Sequence, residues 1–289
     1  LKITSAREGE VTISSDAVGF SLVGDADLYL SGLTLKGSYG DGISIGKSSV
    51  ANLENCRIME NGGSGVRLLG SSEATINSCS ILGNDDEGVR VLNSSRLTVT
   101  ETEIKDNGYV GIQLLDSTHL TLSNCEISGS KYEGILLKGT SRVVISRSDI
   151  TGNGDNGLTL RDSSRANLEN SLITENDDKG AELKDDSKVE ITDSEILKNG
   201  QEGIYFSDST EATLINNLIA DNGESGVSFG EESGLILEEN EITGNPVGLE
   251  LKYPDRFEGS ITGTGNEISG TKSAFEGISE QLKEKLLGN

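Results

Sequence analysis

A glycine recurs at a fixed interval through most of this chain. Successive members lie 23 residues apart, and the last follows after 22. They are Gly19, Gly42, Gly65, Gly88, Gly111, Gly134, Gly157, Gly180, Gly203, Gly226 and Gly248. A fixed period of this length is typical of a solenoid, in which each repeat buries its apolar face only against its neighbours. The spacing predicts a repeat protein of about 11 coils with 23 residues per coil.

The pattern within one repeat indicates β-strands. With the repeat glycine as coil position 1, the coil 65–87 has apolar residues at positions 2 and 4, 10 and 12, and 17: Val66, Leu68, Ala74, Ile76 and Ile81. Spacing by two is the period of a strand, and the three- and four-residue spacing of a helix is missing. Each coil is therefore predicted to hold three short strands, so that stacked coils form an all-β parallel β-helix.

The repeat consensus, G-[VI]-x-L-x-x-S-S-x-x-x-[IL]-x-x-C-x-I-x-x-N, resembles a known group. It is similar to the right-handed parallel β-helix repeats of NosD-like proteins, pectate-lyase-like enzymes and the carbohydrate-binding and sugar-hydrolysis (CASH) domains. Right-handed coiling is what this resemblance implies. A fold alone does not specify an activity. The link of NosD-like proteins to copper enzymes is not expected to carry over as direct copper binding, because this chain has one histidine and one methionine.

Two polar rows follow the same period and are interpreted as structural. Asparagine or serine occupies position 20, where side-chain amides can bond between coils, and hydroxyl residues occupy positions 7 and 8. The three cysteines, Cys56, Cys79 and Cys125, share position 15 with small residues in other coils. We expect free buried thiols there and no metal site.

The C-terminal stretch departs from the repeat. Between residues 273 and 287 the apolar residues Phe275, Ile278, Leu282 and Leu286 are three or four apart, as in an amphipathic helix. We predict a β-helix over residues 1–270 and a C-terminal capping helix within 271–289. At the other end, residues 1–3 and 11–13 already resemble strands, so the chain is expected to begin inside the solenoid.

Composition limits the partners. A formal net charge of −24 and a pI near 4.3 argue against nucleic acid and anionic membrane surfaces. They also disfavour unassisted binding of polyuronates, although calcium could bridge like charges. No apolar run is long enough for membrane insertion. We expect an extracellular, cell-surface or periplasmic protein with a polysaccharide or another protein as its partner.

One turn row suggests a ligand-binding face. Position 22 places Tyr109 and Tyr132 in adjacent coils, with Asp86 in the same row, and such a surface can stack on sugar rings while bonding their hydroxyls. The neighbouring outward row at position 3 adds more polar groups. The predicted binding residues are Tyr109, Tyr132, Asp86, Arg67, Arg90 and Gln113.

Asp155 and Asp178 share position 22 one coil apart. Two stacked carboxylates about 5 Å apart suit an acid and nucleophile pair. With Asp177 they are also candidate calcium ligands; otherwise no cofactor is expected. The G-H-G motif of polygalacturonase-like enzymes and the D-P-H motif of alginate epimerases are absent.

Uniform coils leave no room for the long loops that wall an enclosed cleft. On this ground the sequence favours a non-catalytic recognition or spacer module that presents a shallow face to a glycan or protein. The alternative is a polysaccharide-processing enzyme, a lyase, hydrolase or epimerase, that uses Asp155 and Asp178, with or without calcium. A third hypothesis is ice or mineral binding by the outward residues Thr75, Thr98, Thr100 and Thr121.

Overall fold

A computed structural model describes residues 1–5 and 11–288 of the chain. It contains two compact units, Leu1–Val144 and Ile145–Asn289. In both, almost every described coil supplies one strand to each of three parallel sheets. The predicted all-β solenoid is therefore confirmed, with about twelve coils instead of 11, because the residues before Gly19 and after Gly248 also form strands.

The first unit contains complete strands of all three sheets. Its first-sheet strands are Lys2–Thr4, Asp27–Ser31, Val50–Glu54, Glu73–Asn77, Arg96–Thr100 and His119–Ser123. Its second-sheet strands are Val11–Ile13, Leu33–Lys36, Arg57–Met59, Ser80–Leu82, Glu103–Lys105 and Glu126–Ser128. Its third-sheet strands are Phe20–Leu22, Ile43–Ile45, Val66–Leu68, Val89–Val91, Ile112–Leu114 and Ile135–Leu137. The first-sheet strand Arg142–Ser146 contains the boundary between the units.

The second unit has the same organisation and ends in a helix. Its first-sheet strands are Arg165–Glu169, Lys188–Thr192, Glu211–Ile215, Gly234–Glu238 and Ser260–Thr264. Its second-sheet strands are Asp149–Thr151, Leu172–Thr174, Glu195–Leu197, Leu218–Ala220, Glu241–Thr243 and Glu267–Ile268. Its third-sheet strands are Leu158–Leu160, Ala181–Leu183, Ile204–Phe206, Ser225–Phe229, Val247–Leu251 and Ser273–Glu276. A 3₁₀ turn spans Pro254–Arg256, and the α-helix spans Glu280–Leu287.

The strand register equals one repeat. In the third sheet Val66 pairs with Val89, Arg67 with Arg90 and Leu68 with Val91. Equivalent residues of successive coils therefore stack on one another. The isoleucines of position 17, such as Ile81 and Ile196, are fully buried, and burial of each contributes about 1.5–3 kcal/mol.

The repeat glycines are needed for close approach and not for an unusual backbone angle. A Cβ at Gly180 would lie 2.5 Å from the carbonyl oxygen of Gly203 and 2.6 Å from Cγ2 of Ile196. A Cβ at Gly65 would lie 2.7 Å from the carbonyl oxygen of Gly88 and 2.7 Å from Cγ2 of Ile81. Any side chain there would push the next coil away, which explains why this position keeps the period so strictly.

The predicted structural role of position 20 is confirmed by a buried amide ladder. In the first unit Asn61 Nδ2 donates to Asn84 Oδ1 over 2.9 Å, and Asn84 continues to Asn107. In the second unit the ladder includes the residues Asn153, Asn176, Asn199, Asn222 and Asn245. A second ladder joins Asn217 and Asn240 at position 15 and continues to Asn266 in the longer last coil.

The cysteines are free and buried, as predicted. The N–H of Cys56 donates to Sγ of Cys79 over 3.4 Å. The thiol hydrogen bond from Cys79 lowers the pKa of Cys56 to about 7, and the same interaction, with burial, raises the pKa of Cys79. The pair lies in the sulfur and hydroxyl row of position 15, where Thr102 follows Cys79.

The C-terminal helix is shorter than the predicted segment 273–287. Ser273–Glu276 forms a strand that pairs with Val247–Leu251, with Phe275 opposite Leu249. Gly277 then takes φ 72° and ends the strand. The helical spacing of Phe275 was misleading because strand pairing with the previous coil outweighs a short local pattern. The helix itself packs against Ser260–Thr264 and buries Leu286.

Candidate functional site

The predicted pair Asp155 and Asp178 lies beside the third sheet of the second unit. The N–H of Asp178 donates to the carbonyl of Asp155 over 3.4 Å, so the two residues are stacked in adjacent coils. The Asp155 carboxylate accepts the N–H of Asn156 at 2.9 Å. Burial raises the pKa of Asp155, and the negative charges of Asp178 and Glu182 raise it further.

Asp178 forms a close ion pair with Lys179. Nζ of Lys179 lies 3.0 Å from Oδ1 of Asp178 and also donates to Gln201 at 3.0 Å. The same ammonium group lies 5.8 Å from the ring centroid of Tyr205. The surrounding carboxylates raise the pKa of Lys179 despite its burial, which holds the ammonium in its charged form. The two aspartates therefore stand in different electrostatic environments.

A buried carboxyl group, Glu202, lies next to this pair. Its residue is only 4% exposed. Its oxygens lie 3.8 Å from Nζ of Lys179 and 3.8 Å from Nζ of Lys252. Burial raises the pKa of Glu202.

Glu182 and Glu250 complete the charged surface. Glu182 is buried, and it binds Arg161 at 2.5 Å and Lys184 at 3.0 Å. Glu250 binds Lys252 at 2.9 Å and accepts the hydroxyl hydrogen bond of Ser225. These pairs cover one another along the strand face, so charged groups are partly dehydrated without any covering loop.

Sequence reasoning missed Lys179, Glu202 and Glu182 as site residues. Lys179 and Glu202 share position 23, immediately before the repeat glycine, and Glu182 shares position 3 with the predicted Arg67. Comparing whole rows would have shown charged residues at positions directly flanking buried apolar ones. How deeply these residues are buried depends on neighbours from other coils, which a single row does not reveal.

The three aspartates proposed as calcium ligands differ in their exposure. Asp177 is exposed, whereas Asp155 and Asp178 are partly buried. Across residues 1–5 and 11–288, no group of three or more His, Cys, Asp or Glu side chains is arranged to hold a metal ion. Lys179 already supplies the positive charge next to Asp178.

The first unit brings together the predicted tyrosines. The ring centroids of Tyr109 and Tyr132 are 4.9 Å apart at an interplanar angle of 60°, and the residues are 43% and 39% exposed. Nζ of Lys131 lies 5.5 Å from the ring centroid of Tyr132. Asp86 is exposed in the same row, and its carbonyl accepts the N–H of Tyr109 at 3.1 Å.

The remaining predicted binding residues face outward from the third sheet of this unit. Arg67 lies 3.7 Å from Asp41, and Arg90 lies 3.7 Å from Glu87. Gln113 pairs with Arg90 across the strands and is 7% exposed. Nε of both arginines and Oε1 of Gln113 are buried without a hydrogen-bond partner, so these groups retain capacity to bind a polar ligand.

The three stacked parallel sheets place this chain in the class of parallel β-helix proteins, and its polar candidate residues lie on the face of the third sheet. The family described as the right handed beta helix region matches residues 8–118 and 110–273, and the chain belongs to that family. The right-handed coiling implied by the repeat consensus is thereby confirmed. No curated protein sequence matches the chain.

Several solved structures share the fold. The periplasmic alginate epimerase AlgG aligns with TM-score 0.74 and 16% identity, covering 93% of this chain and 77% of that one. The A-module of the Azotobacter vinelandii mannuronan C-5 epimerase AlgE4 aligns with TM-score 0.67 and 16% identity, covering 95% and 86%. The catalytic unit of a Streptomyces thermodiastaticus α-1,3-glucanase aligns with TM-score 0.71 and 14% identity, covering 94% and 61%.

These comparisons overturn the leading functional expectation from the sequence. The interpretation as a non-catalytic recognition or spacer module is wrong, since the similar structures are polysaccharide-processing enzymes and favour the alternative. Long side chains on the sheet face bury Glu182 and Glu202 by packing over each other, so dehydrated carboxyl groups need no enclosing loop.

Proposed function

We propose that this protein is a polysaccharide-processing enzyme that acts at the third-sheet face of its second unit. The observation that carries the proposal is the unequal environment of Asp155 and Asp178. Asp155 is partly buried with a raised pKa, and Asp178 is held by Lys179 at 3.0 Å. Paired carboxyl groups in contrasting environments are suited to act as proton donor and anion in one reaction.

Hydrolysis of a glycosidic bond is the chemistry that this pair serves best. Protonated Asp155 donates its proton to the glycosidic oxygen as the bond to the anomeric carbon breaks. The carboxylate of Asp178 stabilises the positive charge that develops on the sugar, either by attacking the anomeric carbon or by deprotonating water. Activity should fall as the pH rises through the raised pKa of Asp155, because the proton donor is then lost.

The substrate-binding surface proposed for the first unit is the pair Tyr109 and Tyr132. Their exposed rings offer apolar faces to sugar rings, while Arg67, Arg90 and Gln113 carry unsatisfied polar atoms. With a polysaccharide substrate we expect the protein to act outside the cytoplasm, as the periplasmic epimerase AlgG does. Within the described residues, no helix is long and apolar enough to cross a membrane.

The proposal is tested by incubating the protein with neutral, amino-sugar and uronate polysaccharides, with and without EDTA. New reducing ends report hydrolysis, and ultraviolet absorbance of an unsaturated product reports elimination. Asp155→Asn and Asp178→Asn should each reduce turnover at least a hundredfold, whereas Asp186→Asn, on an exposed turn, should not. The absence of turnover on every polysaccharide, or full activity of both aspartate variants, would overturn the proposal.

Binding is tested separately on an array of the same polysaccharides. The double variant Tyr109→Ala/Tyr132→Ala should lose retention, because it removes the stacking surface. Tyr39→Ala, at an 83% exposed tyrosine of the same unit, is the matched control. Unchanged retention of the double variant would show that the tyrosine face does not bind the glycan.

A further inference from the structure

Carboxylates outnumber cations on the third-sheet face of the second unit. We call this surface the acidic face and define it by Asp155, Asp178, Glu182, Glu202, Glu224 and Glu250. These side chains are close enough to shift one another's pKa. The charge of Asp178 raises the pKa of Asp155, and the charge of Glu224 raises the pKa values of Glu202 and Lys252. The cations among them are Arg161, Lys179, Lys184 and Lys252.

Every one of these cations is already paired with a carboxylate. Arg161 and Lys184 both bind Glu182. Lys179 binds Asp178, and Lys252 binds Glu250. An anionic sugar would have to displace one of these pairs, and it would then meet further carboxylates.

Glu202 supplies an independent sign that a ligand is accommodated here. The residue is only 4% exposed, and its Oε2 has no hydrogen-bond partner. The nearest ammonium group, on Lys179, lies 3.8 Å away, beyond hydrogen-bond distance. A buried carboxylate oxygen without a donor is costly, and a donor brought by a ligand would remove that cost.

We propose that the acidic face binds the ammonium groups of an amino-sugar polysaccharide, a polymer of deacetylated hexosamine units. An ammonium group brings positive charge to a face on which carboxylates outnumber cations, and it brings a hydrogen-bond donor for Oε2 of Glu202. The net charge of −24 would also attract a polycation and raise its local concentration. This inference names the substrate class of the proposed enzyme and rests on that proposal only for turnover, since binding is measured without it.

The probes are three soluble hexamers: β-linked glucosamine, its N-acetylated form and galacturonate. Isothermal titration calorimetry is run at about pH 6, below the pKa of a free α-amino group, so that most of the sugar amines are protonated, in low and in physiological salt. The glucosamine hexamer should bind at least tenfold more tightly than either of the others. Its affinity should fall with added salt, because salt screens the attraction between charges.

Two variants separate this site from general attraction to an acidic protein. Glu202→Gln keeps the shape but removes the charge, and it should weaken binding of the glucosamine hexamer at least tenfold. Glu224→Gln, at an exposed member of the acidic face, should weaken it at least threefold and carries little risk to folding. Glu195→Gln, at an exposed second-sheet position of the same unit, changes the net charge equally and should leave affinity unchanged.

Equal binding of the acetylated hexamer, preference for galacturonate, or equal loss with Glu195→Gln would overturn the inference. So would tight binding of calcium alone that Glu202→Gln abolishes, because the face would then be a metal site. Tight binding of the glucosamine hexamer without cleavage would uphold the inference and count against the enzyme. Cleavage of a neutral glycan without preference for glucosamine would uphold the proposed enzyme and overturn the inference about amino sugars.

Discussion

At the scale of single residues, the structure shows how a sheet face without loops buries charge. Glu202 lies between Lys179 and Lys252, and Glu182 lies between Arg161 and Lys184. Lys179 and Lys252 each bridge two carboxylates from different coils. Burial and neighbouring negative charge raise the pKa of Asp155 and of Glu202, and perturbed carboxyl groups of this kind are typical of functional sites.

The raised pKa of Glu202 makes stability depend on pH. A carboxyl group whose pKa is higher in the folded than in the unfolded protein stabilises the folded state at pH values below the ordinary pKa of the group, near 4.5. That contribution is lost as the pH rises through the folded-state pKa. Glu202→Gln removes this term, so the unfolding free energy of the variant relative to wild type should be higher at about pH 7 than at about pH 4.

Urea unfolding of both proteins at the two pH values measures this difference. Glu195→Gln, on the exposed second-sheet face, is the control and should show the same difference from wild type at both values. A Glu202→Gln difference that does not change with pH would show that this carboxyl group titrates normally in the folded protein.

The sequence predicted part of the candidate site. Asp155 and Asp178, like Tyr109 and Tyr132, could be placed in adjacent coils because a 23-residue period makes them neighbours. Glu202 could not be identified as a buried acid. Its burial depends on the conformations of Lys179, at the same position of the preceding coil, and of Lys252, at a different position of a later coil.

At the scale of elements, the coil is held by groups that repeat in register. The glycine row lets adjacent coils approach, the isoleucine row fills the core, and the asparagine row satisfies buried amides. Turn positions take left-handed backbone angles with ordinary side chains as well as glycine: Glu175, Lys198 and Asp221 have φ between 53° and 57°. The repeat glycines are therefore required for close approach of the coils, whereas turn positions with positive φ can hold other residues.

Gly180→Ala should destabilise the protein by about 1–3 kcal/mol. The added methyl group would lie 2.5 Å from the carbonyl oxygen of Gly203 and force the coils apart. Denaturant unfolding measures the loss. The control is Gly152→Asn, at a turn where φ is +60° and no atom lies within 4 Å of the position that a Cβ would take; it should change stability little because asparagine tolerates this angle. Equal effects would show that close approach is not what requires glycine.

Asn199→Ala should cost roughly 2–4 kcal/mol, because it leaves several buried groups without partners. Asn199 Nδ2 donates to Asn222 Oδ1 at 2.9 Å, and Asn199 Oδ1 accepts from Nδ2 of Asn176 at 2.9 Å. Asn199→Ser should cost less, since another coil has a serine, Ser38, at the same coil position 20. Thermal and urea unfolding provide the measurement, and an alanine variant as stable as the serine variant would contradict the ladder's role.

At the scale of the whole molecule, the chain carries 48 acidic and 24 basic residues. Self-repulsion of a net charge of −24 opposes the folded state, and salt screens it. The melting temperature should therefore rise when sodium chloride is increased from low to physiological concentration. Potassium chloride at equal ionic strength is the control and should act alike; a melting temperature that stays constant or falls would show that surface pairing already balances the charge.

The sequence by itself determined the solenoid, its strand positions, its core rows and its structural polar rows. It could do so because stacking makes each residue contact its equivalent one period away, which turns a tertiary contact into a count along the chain. Only the tertiary structure decided which charged side chains are buried and paired, and that Ser273–Glu276 is a strand. Those outcomes depend on side chains from different rows and coils packing over one another, and no single period in the sequence encodes that packing.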